Sequence, residues 1–370
     1  MGPLVGVPRE TKSGEHRVSV TPEGAEALVR AGARVVVQAG AGTGSGFSDG
    51  EYLRAGASIE ADPARVFAAD LVVKVKEPLP PEYRYLSDRS VLFTYLHLAA
   101  VPELAEELLR RSVTAIAYET VTAEGGLPLL RPMSEVAGIL SVQAGARGLE
   151  KESGGMGVLL SAVSGGEPSR VCVIGAGTAG RSAARVAAGI GAKVSILDIS
   201  PEKLERVRRE LGGSAVPIRS TPEALEREAV RSELVISTVL VVGQRAPVLI
   251  SRELLRKMKR GAVLVDISID QGGSAETSRP TTHADPFFVE EGIVHYCVAN
   301  MPAAVPRTST IALSRATLPY VERMVRLGVR EALRADPGLL AGLNTYRGQV
   351  TCEGVGRALG KEYVPGFNIL

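Results

Sequence analysis

Three glycines in the middle of the chain have the spacing that a nucleotide phosphate site needs. They are Gly175, Gly177 and Gly180, and they directly follow the β-branched run from Arg170 to Ile174. In a strand, turn and helix unit, the first glycine permits a tight turn, the second lets a pyrophosphate approach the backbone, and the third lets the helix pack closely. The phosphates would bind free N–H groups at the helix start, where the helix dipole is positive. This spacing predicts a dinucleotide-binding turn.

An acidic residue follows this turn where a ribose would be recognised. A helix with small side chains comes after Gly180 and ends at Gly191, and the next predicted strand, Lys193 to Ile199, delivers Asp198. A carboxylate near that strand end can accept hydrogen bonds from both ribose hydroxyls, and it would repel a 2′-phosphate. A G-x-G-x-x-G turn alone is weak evidence. The complete unit of strand, turn, helix, strand and acid predicts an NAD site rather than an NADP site.

Four other residues carry groups suited to handling a small polar substrate. They are Arg17, just after the first predicted strand, and Lys76, His97 and Asp270, each at or just after a strand end. An arginine can bind a carboxylate through two hydrogen bonds, and an imidazole suits proton transfer near neutral pH. Taken one at a time, each also has a structural interpretation: a solvated arginine, a polar strand face shared with Lys74, a structural histidine or a turn aspartate.

The predicted elements place these residues at the edges of parallel sheets. Strands alternate with helices in the first part of the chain and again in the middle, and ligands of such sheets collect at the carboxyl ends of the strands. Lys76 and His97 both fall at that edge. The predicted strands are Leu4–Pro8, Arg34–Gln38, Asp70–Lys76, Val91–His97, Val113–Glu119, Arg170–Ile174, Lys193–Ile199, Glu233–Val239, Gly261–Ile269 and Ile293–Ala299.

A length of 370 residues exceeds one ordinary hydrophobic core, so we expect two domains. A helical stretch from Pro132 to about Glu150 would connect them, and a long helical tail, about Ile311 to Arg334, can return to the first domain. We predict an α/β protein with two Rossmann-like domains and parallel sheets. Residues 132–307 would form a dinucleotide-binding domain, inserted into a discontinuous domain made of residues 1–131 and 308–370.

Composition and charge exclude several classes of protein. The formal net charge is +2, and no run of basic residues interleaved with aromatics suggests a nucleic-acid partner. No apolar segment of about 20 residues and no signal-peptide core is present, so we expect a cytoplasmic protein without a membrane partner. Cys172, Cys297 and Cys352 are widely spaced and show no ligand spacing with the four histidines. We therefore expect neither a disulfide framework nor a metal site.

Motifs along nearly the whole chain resemble those of the alanine dehydrogenases. The spacing between distant motifs makes this resemblance specific. One departure is His16, where the family usually has an aromatic residue beside the arginine. The segments that carry the resemblance are Gly6–Glu10 with Arg17, Lys74–Pro78, Leu96–Leu98, Pro132–Glu135, Gly175–Gly180, Asp266–Gly273, Ser278–Thr282 and Val298–Pro302.

The resemblance implies a two-domain subunit, usually assembled as a hexamer, that interconverts L-alanine with pyruvate and ammonia using NAD. Arg17 and Lys76 would hold the substrate carboxylate and keto oxygen in the discontinuous domain. His97 would be the acid/base, and Asp270 would act near the nicotinamide ribose and the incoming ammonia. The residues expected to line the cofactor are Ser134, Gly175, Gly177, Thr178, Ala179, Gly180, Asp198, Lys203, Ser220, Val239, Leu240, Ile267, Asp270, Arg279, Val298, Asn300 and Met301.

Two other functions remain open at this point. The NAD-binding subunit of a proton-translocating transhydrogenase shares the two-domain plan, but it needs neither a keto-acid pocket nor a proton-transfer histidine. The presence of Arg17, Lys76 and His97 therefore argues against it. A catalytically silent NAD-binding protein would bind the cofactor without turnover. The production of NADH from a panel of L-amino acids distinguishes these possibilities.

Overall fold

The structure is a computed structural model that describes residues 2–124, 126–239 and 245–370. The chain divides into two compact units. The first unit consists of Met1–Met133 and Val305–Leu370, and the second consists of Ser134–Ala304.

The first unit begins as an alternation of short strands and helices. Thr21 accepts a hydrogen bond from the Gly24 N–H and Pro22 is the first helical residue, so the first helix starts where its capping sequence predicts. The strands are β1 (Leu4–Val7), β2 (Arg34–Gln38), β3 (Ser58–Glu60), β4 (Leu71–Val73), β5 (Val91–Thr94) and β6 (Thr114–Ala117). The helices are α1 (Pro22–Arg30), α2 (Asp49–Arg54), α3 (Pro63–Phe67) and α4 (Pro102–Arg110).

The second unit repeats this alternation, and helix α5 (Arg131–Gly148) leads into it. Its strands are β7 (Arg170–Ile174), β8 (Lys193–Asp198), β9 (Ala215–Arg219), β10 (Leu234–Ser237), β11 (Val263–Asp266), β12 (Phe287–Glu290) and β13 (Ile293–Tyr296). Its helices are α6 (Thr178–Ile190), α7 (Pro201–Leu211), α8 (Pro222–Arg231) and α9 (Arg252–Lys257).

The last part of the chain returns to the first unit. It contains α10 (Pro306–Leu327), α11 (Val329–Ala335), α12 (Pro337–Ala341), β14 (Leu343–Tyr346), β15 (Gln349–Val350) and α13 (Glu353–Leu359). The sequence predicts one helical tail from about Ile311 to Arg334, and this prediction is wrong in one respect. Gly328 adopts a φ of 77° between α10 and α11, which interrupts the helix.

Each unit is built on one mostly parallel sheet, which confirms the predicted α/β class. The first sheet has the order β15-β14-β6-β5-β4-β1-β2-β3, and β14 runs antiparallel to β6 and to β15. The second sheet has the order β12-β13-β11-β10-β7-β8-β9, and β12 runs antiparallel to β13. The strand order reverses between β1 and β4 in the first sheet and between β7 and β10 in the second. Ligands of parallel sheets bind at the carboxyl ends of strands at such reversals.

The central strands are apolar because both faces of a parallel sheet are covered. On β7, Val171 and Val173 pack into one buried cluster while Cys172 and Ile174 pack into another. Burial raises the pKa of the Cys172 thiol to about 12, so this cysteine is a neutral core residue.

Several predicted strands are shorter than expected, and in the first unit the difference moves two candidate site residues. The sequence predicts that Lys76 and His97 end strands, but β4 ends at Val73 and β5 ends at Thr94. Lys76 and His97 therefore lie in irregular backbone beyond the strand ends.

Candidate functional site

The three glycines of the second unit differ in what their backbone positions require. Gly175 directly follows β7 and has a φ of 99°, a conformation that is strained for a residue with a side chain. A Cβ atom at Gly180 would lie 1.8 Å from the carbonyl oxygen of Gly175, so glycine is required where α6 packs on the turn. A Cβ atom at Gly177 would meet none of the described atoms within 4 Å. The space beside Gly177, at the start of α6, fits a pyrophosphate that approaches backbone N–H groups.

Asp198 at the end of β8 ties this turn to the neighbouring strand. Its Oδ2 accepts a hydrogen bond from the Ala176 N–H at 2.7 Å, and its Oδ1 accepts one from the Ser200 N–H at 2.8 Å. The Nζ of Lys203 lies 3.8 Å from Oδ2. A carboxylate offers about four acceptor positions, so two backbone bonds leave capacity for ribose hydroxyls.

The segment after β10 lies on the other side of the strand-order reversal. The Thr238 hydroxyl is 3.0 Å from the carbonyl oxygens of both Ile174 and Gly175, so it holds the glycine turn from this side. The carbonyl of Val239 accepts a hydrogen bond from the Ser268 hydroxyl at 2.8 Å. Leu240, which the resemblance implies lines the cofactor, lies outside the described residues.

A buried aspartate organises the loop after β11. Asp266 is 1% exposed and accepts hydrogen bonds from the Ser268 N–H at 3.0 Å, the Ser274 N–H at 2.6 Å and the Ser278 hydroxyl at 2.6 Å. Ile267 begins this loop. The carboxylate of Asp266 therefore fixes the segment that carries Asp270.

Asp270 itself is exposed and contacts a residue with left-handed backbone. The N–H of Asn300 lies 3.2 Å and 3.4 Å from the two carboxylate oxygens of Asp270, and Asn300 has a left-handed φ of 57°. Two residues predicted to line the cofactor, Asp270 and Asn300, are therefore in direct contact within the second unit.

Arg279 is oriented by a stack of rings. Its guanidinium lies 3.9 Å over the Phe288 ring, and that ring stacks on His295 at 4.7 Å. The Nε2 of His295 lies 2.7 Å from the Thr277 hydroxyl. Burial lowers the pKa of His295, so the imidazole beneath the stack is neutral near pH 7.

The remaining cofactor candidates also belong to the second unit. Ser134 lies in α5, and the Ser220 N–H donates to the carbonyl of Asp198 at 3.0 Å. Val298 and Met301 are buried. Thr178 and Ala179 form the first turn of α6, whose N-cap Gly177 provides no side-chain capping bond.

Arg17, in the first unit, is buried against a neighbouring carboxylate. It is 2% exposed, and its Nε and Nη2 each lie 2.6 Å from an oxygen of Glu15. Its Nη1 lies 3.0 Å from the sulfur of Met133. Burial by itself lowers the pKa of Arg17, but the hydrogen bonds and charge of Glu15 reverse this and raise it overall. The interpretation of Arg17 as a solvated surface arginine is therefore wrong.

Lys74 and Lys76 have different environments, although the sequence pattern places them on one strand face. Lys74 is completely buried, with its Nζ 3.2 Å from a Glu10 oxygen and 3.1 Å from a Glu82 oxygen. Burial opposes its charge, but these two carboxylates raise the pKa of Lys74 overall, so it is a structural cation. Lys76 is half-buried, and its carbonyl accepts a hydrogen bond from the Thr94 hydroxyl at 3.0 Å.

His97 is held at the carboxyl edge of the first sheet with its ring accessible. Its side chain is 41% exposed, and the ring stacks on Tyr95 with centroids 5.9 Å apart and planes at 7°. The Tyr95 hydroxyl donates to the carbonyl of Leu129 at 2.6 Å. Burial raises the pKa of Tyr95 overall, although the charge of Arg17 acts to lower it. Tyr95 is thus within electrostatic range of Arg17 and stacks on His97.

The structure adds three glutamates that sequence reasoning missed. Glu15 accepts a hydrogen bond from the Arg17 N–H at 3.1 Å, Glu10 from the Lys76 N–H at 3.4 Å, and Glu119 from the His97 N–H at 2.6 Å. Each of the three candidate residues thus has its backbone held by a carboxylate. Signals in the sequence were available: Glu10 ends the first motif segment, Glu15 lies two residues before Arg17, and Glu119 ends a predicted strand.

The side chains of the first unit include types suited to binding a small carboxylate and to proton transfer, namely Arg17, Lys76 and the accessible imidazole of His97. The glycine turn belongs to the second unit. Among the residues described by the structure, no group of three or more His, Cys, Asp or Glu side chains is placed to hold a metal ion.

Comparison with protein-family models gives two matches that together cover most of the chain. Residues 6–137 match the model described as "Alanine dehydrogenase/PNT, N-terminal domain", and residues 141–353 match "Alanine dehydrogenase/PNT, C-terminal domain".

Similar proteins extend over nearly the full length. The chain is 52% identical to a protein of Halomonas elongata named "Alanine dehydrogenase" over 99% of both chains, and 49% identical to "Alanine dehydrogenase 2" of Staphylococcus aureus over 97% of both. A solved structure of L-alanine dehydrogenase matches with a TM-score of 0.93 at 44% identity, covering 96% of this chain and 99% of that one. A transhydrogenase from Sinorhizobium meliloti matches with a TM-score of 0.81 at 25% identity, covering 95% and 99%.

Proposed function

Because the chain belongs to the alanine dehydrogenase/PNT family, we propose that it is an NAD-dependent oxidoreductase that interconverts L-alanine with pyruvate and ammonia. The observation that carries this proposal is that near-full-length relatives of the chain are named alanine dehydrogenase. The presence of Arg17, Lys76 and His97 in the first unit supports it. The net reaction consumes L-alanine, NAD⁺ and water, and it yields pyruvate, ammonium, NADH and one proton.

We propose that Arg17 and Lys76 bind the substrate. The planar guanidinium of Arg17 suits a carboxylate, and Glu15 fixes its orientation by occupying the Nε and Nη2 edge. The compact charge of Lys76 suits the keto oxygen, where it would stabilise negative charge as the carbonyl is attacked or re-formed. The backbone N–H of each residue donates a hydrogen bond to a carboxylate, that of Arg17 to Glu15 and that of Lys76 to Glu10.

His97 is the proposed acid/base. In the oxidative direction, loss of hydride from the α-carbon leaves an imine, which water must attack before ammonia can leave. His97 would accept the proton of that water and return a proton to the departing nitrogen. An imidazole that is 41% exposed at the sheet edge is accessible for this exchange.

The second unit would bind NAD, which accepts the hydride when it is bound. The open space at Gly177 and the uncapped start of α6 support a pyrophosphate site, and Asp198 supports ribose recognition. Arg279, held by Phe288, would contact the cofactor as well. We propose that Asp270 acts beside the nicotinamide ribose and the ammonia.

These roles divide the chain into functional domains. We propose that residues 1–131 and 308–370 form the substrate domain and that residues 132–307 form the NAD-binding domain.

The resemblance to the family supports a cytoplasmic homohexamer. Sedimentation velocity would test the hexameric assembly. Among the described helices, none has the length and apolar character required to cross a lipid bilayer.

The function is tested by measuring NADH formation from L-alanine, L-serine, glycine and D-alanine. We expect L-alanine to give the highest kcat/KM, D-alanine to give none, and pyruvate with ammonium to drive the reverse reaction. Hydride exchange between two nicotinamide nucleotides without any amino acid would instead support a transhydrogenase subunit. NAD binding with no turnover of any substrate would support a silent binding protein.

A further inference from the structure

The backbone of His97 is in a conformation that most side chains avoid. Its φ is 50°, in the left-handed region, where a residue with a Cβ atom is uncommon. Strained backbone of this kind persists only when surrounding groups hold it, and it concentrates at functional sites. The groups that hold residue 97 therefore decide where the imidazole lies.

Glu119 provides that support. Its Oε1 accepts hydrogen bonds from the His97 N–H at 2.6 Å and from the Leu96 N–H at 3.1 Å, and its Oε2 lies 3.3 Å from the Leu96 N–H. The last paired residues of β5 and β6 are Thr94 and Ala117. Leu96 and His97 lie two and three residues beyond Thr94, and Glu119 lies two residues beyond Ala117, so this carboxylate binds N–H groups just past the end of the ladder.

The same carboxylate faces the imidazole. The Oε1 of Glu119 lies 3.9 Å from the Nδ1 of His97, and the Glu119 side chain is 18% exposed. Tyr95 covers one face of the imidazole ring. Glu119 and Tyr95 therefore constrain the ring on the Nδ1 side and on one face, which leaves Nε2 as the nitrogen for proton exchange with a substrate.

We propose that Glu119 is a positioning residue for His97, which acts by accepting the two backbone N–H bonds that fix the strained turn. This inference rests on the proposed role of His97 in alanine oxidation. Small misplacements of a catalytic group can cost about 100-fold in rate, so the loss of these bonds should appear in kcat.

Glutamine and methionine at position 119 separate hydrogen-bond acceptance from packing. They have similar lengths, but glutamine retains a carbonyl oxygen that can accept the N–H bonds, whereas methionine does not. We expect Glu119→Met to lower kcat for L-alanine oxidation by about 10-fold to 100-fold, and Glu119→Gln to lose less than about fivefold. The dissociation constant for NAD should be unchanged in both. Equal losses in the two variants, or no loss in either, would overturn the proposal.

A double-mutant cycle shows whether Glu119 acts through His97. In a His97→Ala background, Glu119→Met should cause almost no further loss of kcat, because the group being positioned is absent. The same fold loss in both backgrounds would show that Glu119 acts independently of His97, which contradicts the proposal. If His97→Ala leaves too little activity to measure, the comparison of glutamine with methionine decides.

Glu103→Gln is the matched control, because Glu103 is an exposed glutamate of the same unit at the start of α4. It should leave kcat unchanged, and thermal unfolding of every variant separates misfolding from misplacement. Failure of the proposed function can be distinguished from failure of the role of Glu119, because in the first case the wild-type protein would show no alanine oxidation at all. An active wild-type protein with a fully active Glu119→Met variant would overturn only the role of Glu119.

Discussion

The guanidinium of Arg17 and the carboxylate of Glu15 form a buried pair joined by two hydrogen bonds of 2.6 Å, although the residues are only two positions apart. The Glu15 and Arg17 side chains are 0% and 1% exposed. This pair sets both the charge and the orientation of the proposed carboxylate-binding group.

Removing one partner of such a pair leaves a buried charge without compensation, which costs about 3–5 kcal/mol. Glu15→Gln should therefore lower the urea midpoint of unfolding markedly, and it should raise the KM for L-alanine by releasing Arg17 from its fixed orientation. The exposed pair of Glu26 and Arg30 offers a control, since Glu26→Gln should leave both quantities unchanged. A stable Glu15→Gln protein with normal KM would contradict this account of the pair.

Substitution by alanine should have different effects at two glycines of the nucleotide turn: loss of stability at Gly180 and loss of NAD binding at Gly177. Gly180→Ala places a Cβ atom 1.8 Å from the Gly175 carbonyl oxygen and should lower the melting temperature strongly. Gly177→Ala meets open space and should change stability by no more than about 1 kcal/mol, but the added methyl group should weaken NAD binding by tenfold or more. Thermal unfolding and NAD titration of both variants provide the test. Normal NAD affinity in Gly177→Ala would place the pyrophosphate elsewhere.

Asp198 should determine the choice of cofactor. Asp198→Asn retains an oxygen that can accept the Ala176 N–H but removes the charge that repels a 2′-phosphate. We expect NAD affinity to fall by about 10-fold to 100-fold, since a charge-assisted hydrogen bond contributes about 1.5–3 kcal/mol, and discrimination against NADP to relax. Steady-state kinetics with each nucleotide measure both effects. Equal wild-type efficiency with NADP would refute the role of Asp198.

His295 should make the folding stability of the second unit decrease in mild acid. Burial lowers the pKa of His295 from its ordinary value of 6.5, and the charge of Arg279 acts in the same direction. The hydrogen bond to the Ile293 carbonyl and the charges of Glu290 and Asp266 oppose this shift but do not reverse it. The unfolded chain then binds a proton that the folded chain resists, so stability is full above about pH 6.5 and falls as the pH drops below it. His295→Gln should flatten the melting temperature between about pH 5 and 7.

The exposed His283 provides the control for this pH dependence. His283→Gln should retain the acid-sensitive decrease of the wild-type protein. If the His295→Gln protein keeps the same decrease, other groups are responsible for it.

The sequence was sufficient to predict the parallel sheets and the unit from β7 to Asp198, because these depend on local patterns of glycine and apolar residues. The family was predicted from its motifs and from the spacing between them along the chain. It overextended β4 and β5, since the apolar alternation continues through Val75 and Tyr95 after the regular ladder ends. Long-range carboxylates hold that backbone, and their partners lie 22 to 66 positions away in the chain. No local pattern encodes such a pairing.

Some edge elements were also missed for physical reasons. Strand β9 contains a proline and half-exposed residues, which do not resemble a buried strand. Strand β14 joins the first sheet in the antiparallel direction after α12, and β15 has only two residues. Their pairing depends on where the chain returns and not on their own sequence.

Substitution of Lys76 or His97 by alanine should lower the catalytic rate without changing the affinity for NAD. A general acid/base contributes about 10²–10⁴-fold, so His97→Ala should lower kcat by that order. Lys76→Ala should lower kcat and weaken pyruvate binding, because its charge acts on the substrate oxygen in the ground state and more strongly in the transition state. NAD titration of both variants should give the wild-type dissociation constant. Weakened NAD binding as the main defect would show that the substrate site is placed wrongly.

The most direct measurement of the central claim follows the α-hydrogen of L-alanine. The wild-type protein is supplied with NAD⁺ and L-alanine deuterated at the α-carbon, and the products are analysed by mass spectrometry. Our account predicts that one deuterium appears in the reduced nucleotide for each pyruvate and ammonium formed, at a rate that His97→Ala and Lys76→Ala both reduce. Pyruvate formed without transfer of deuterium to the nucleotide, or no pyruvate from a protein that binds NAD, would contradict it.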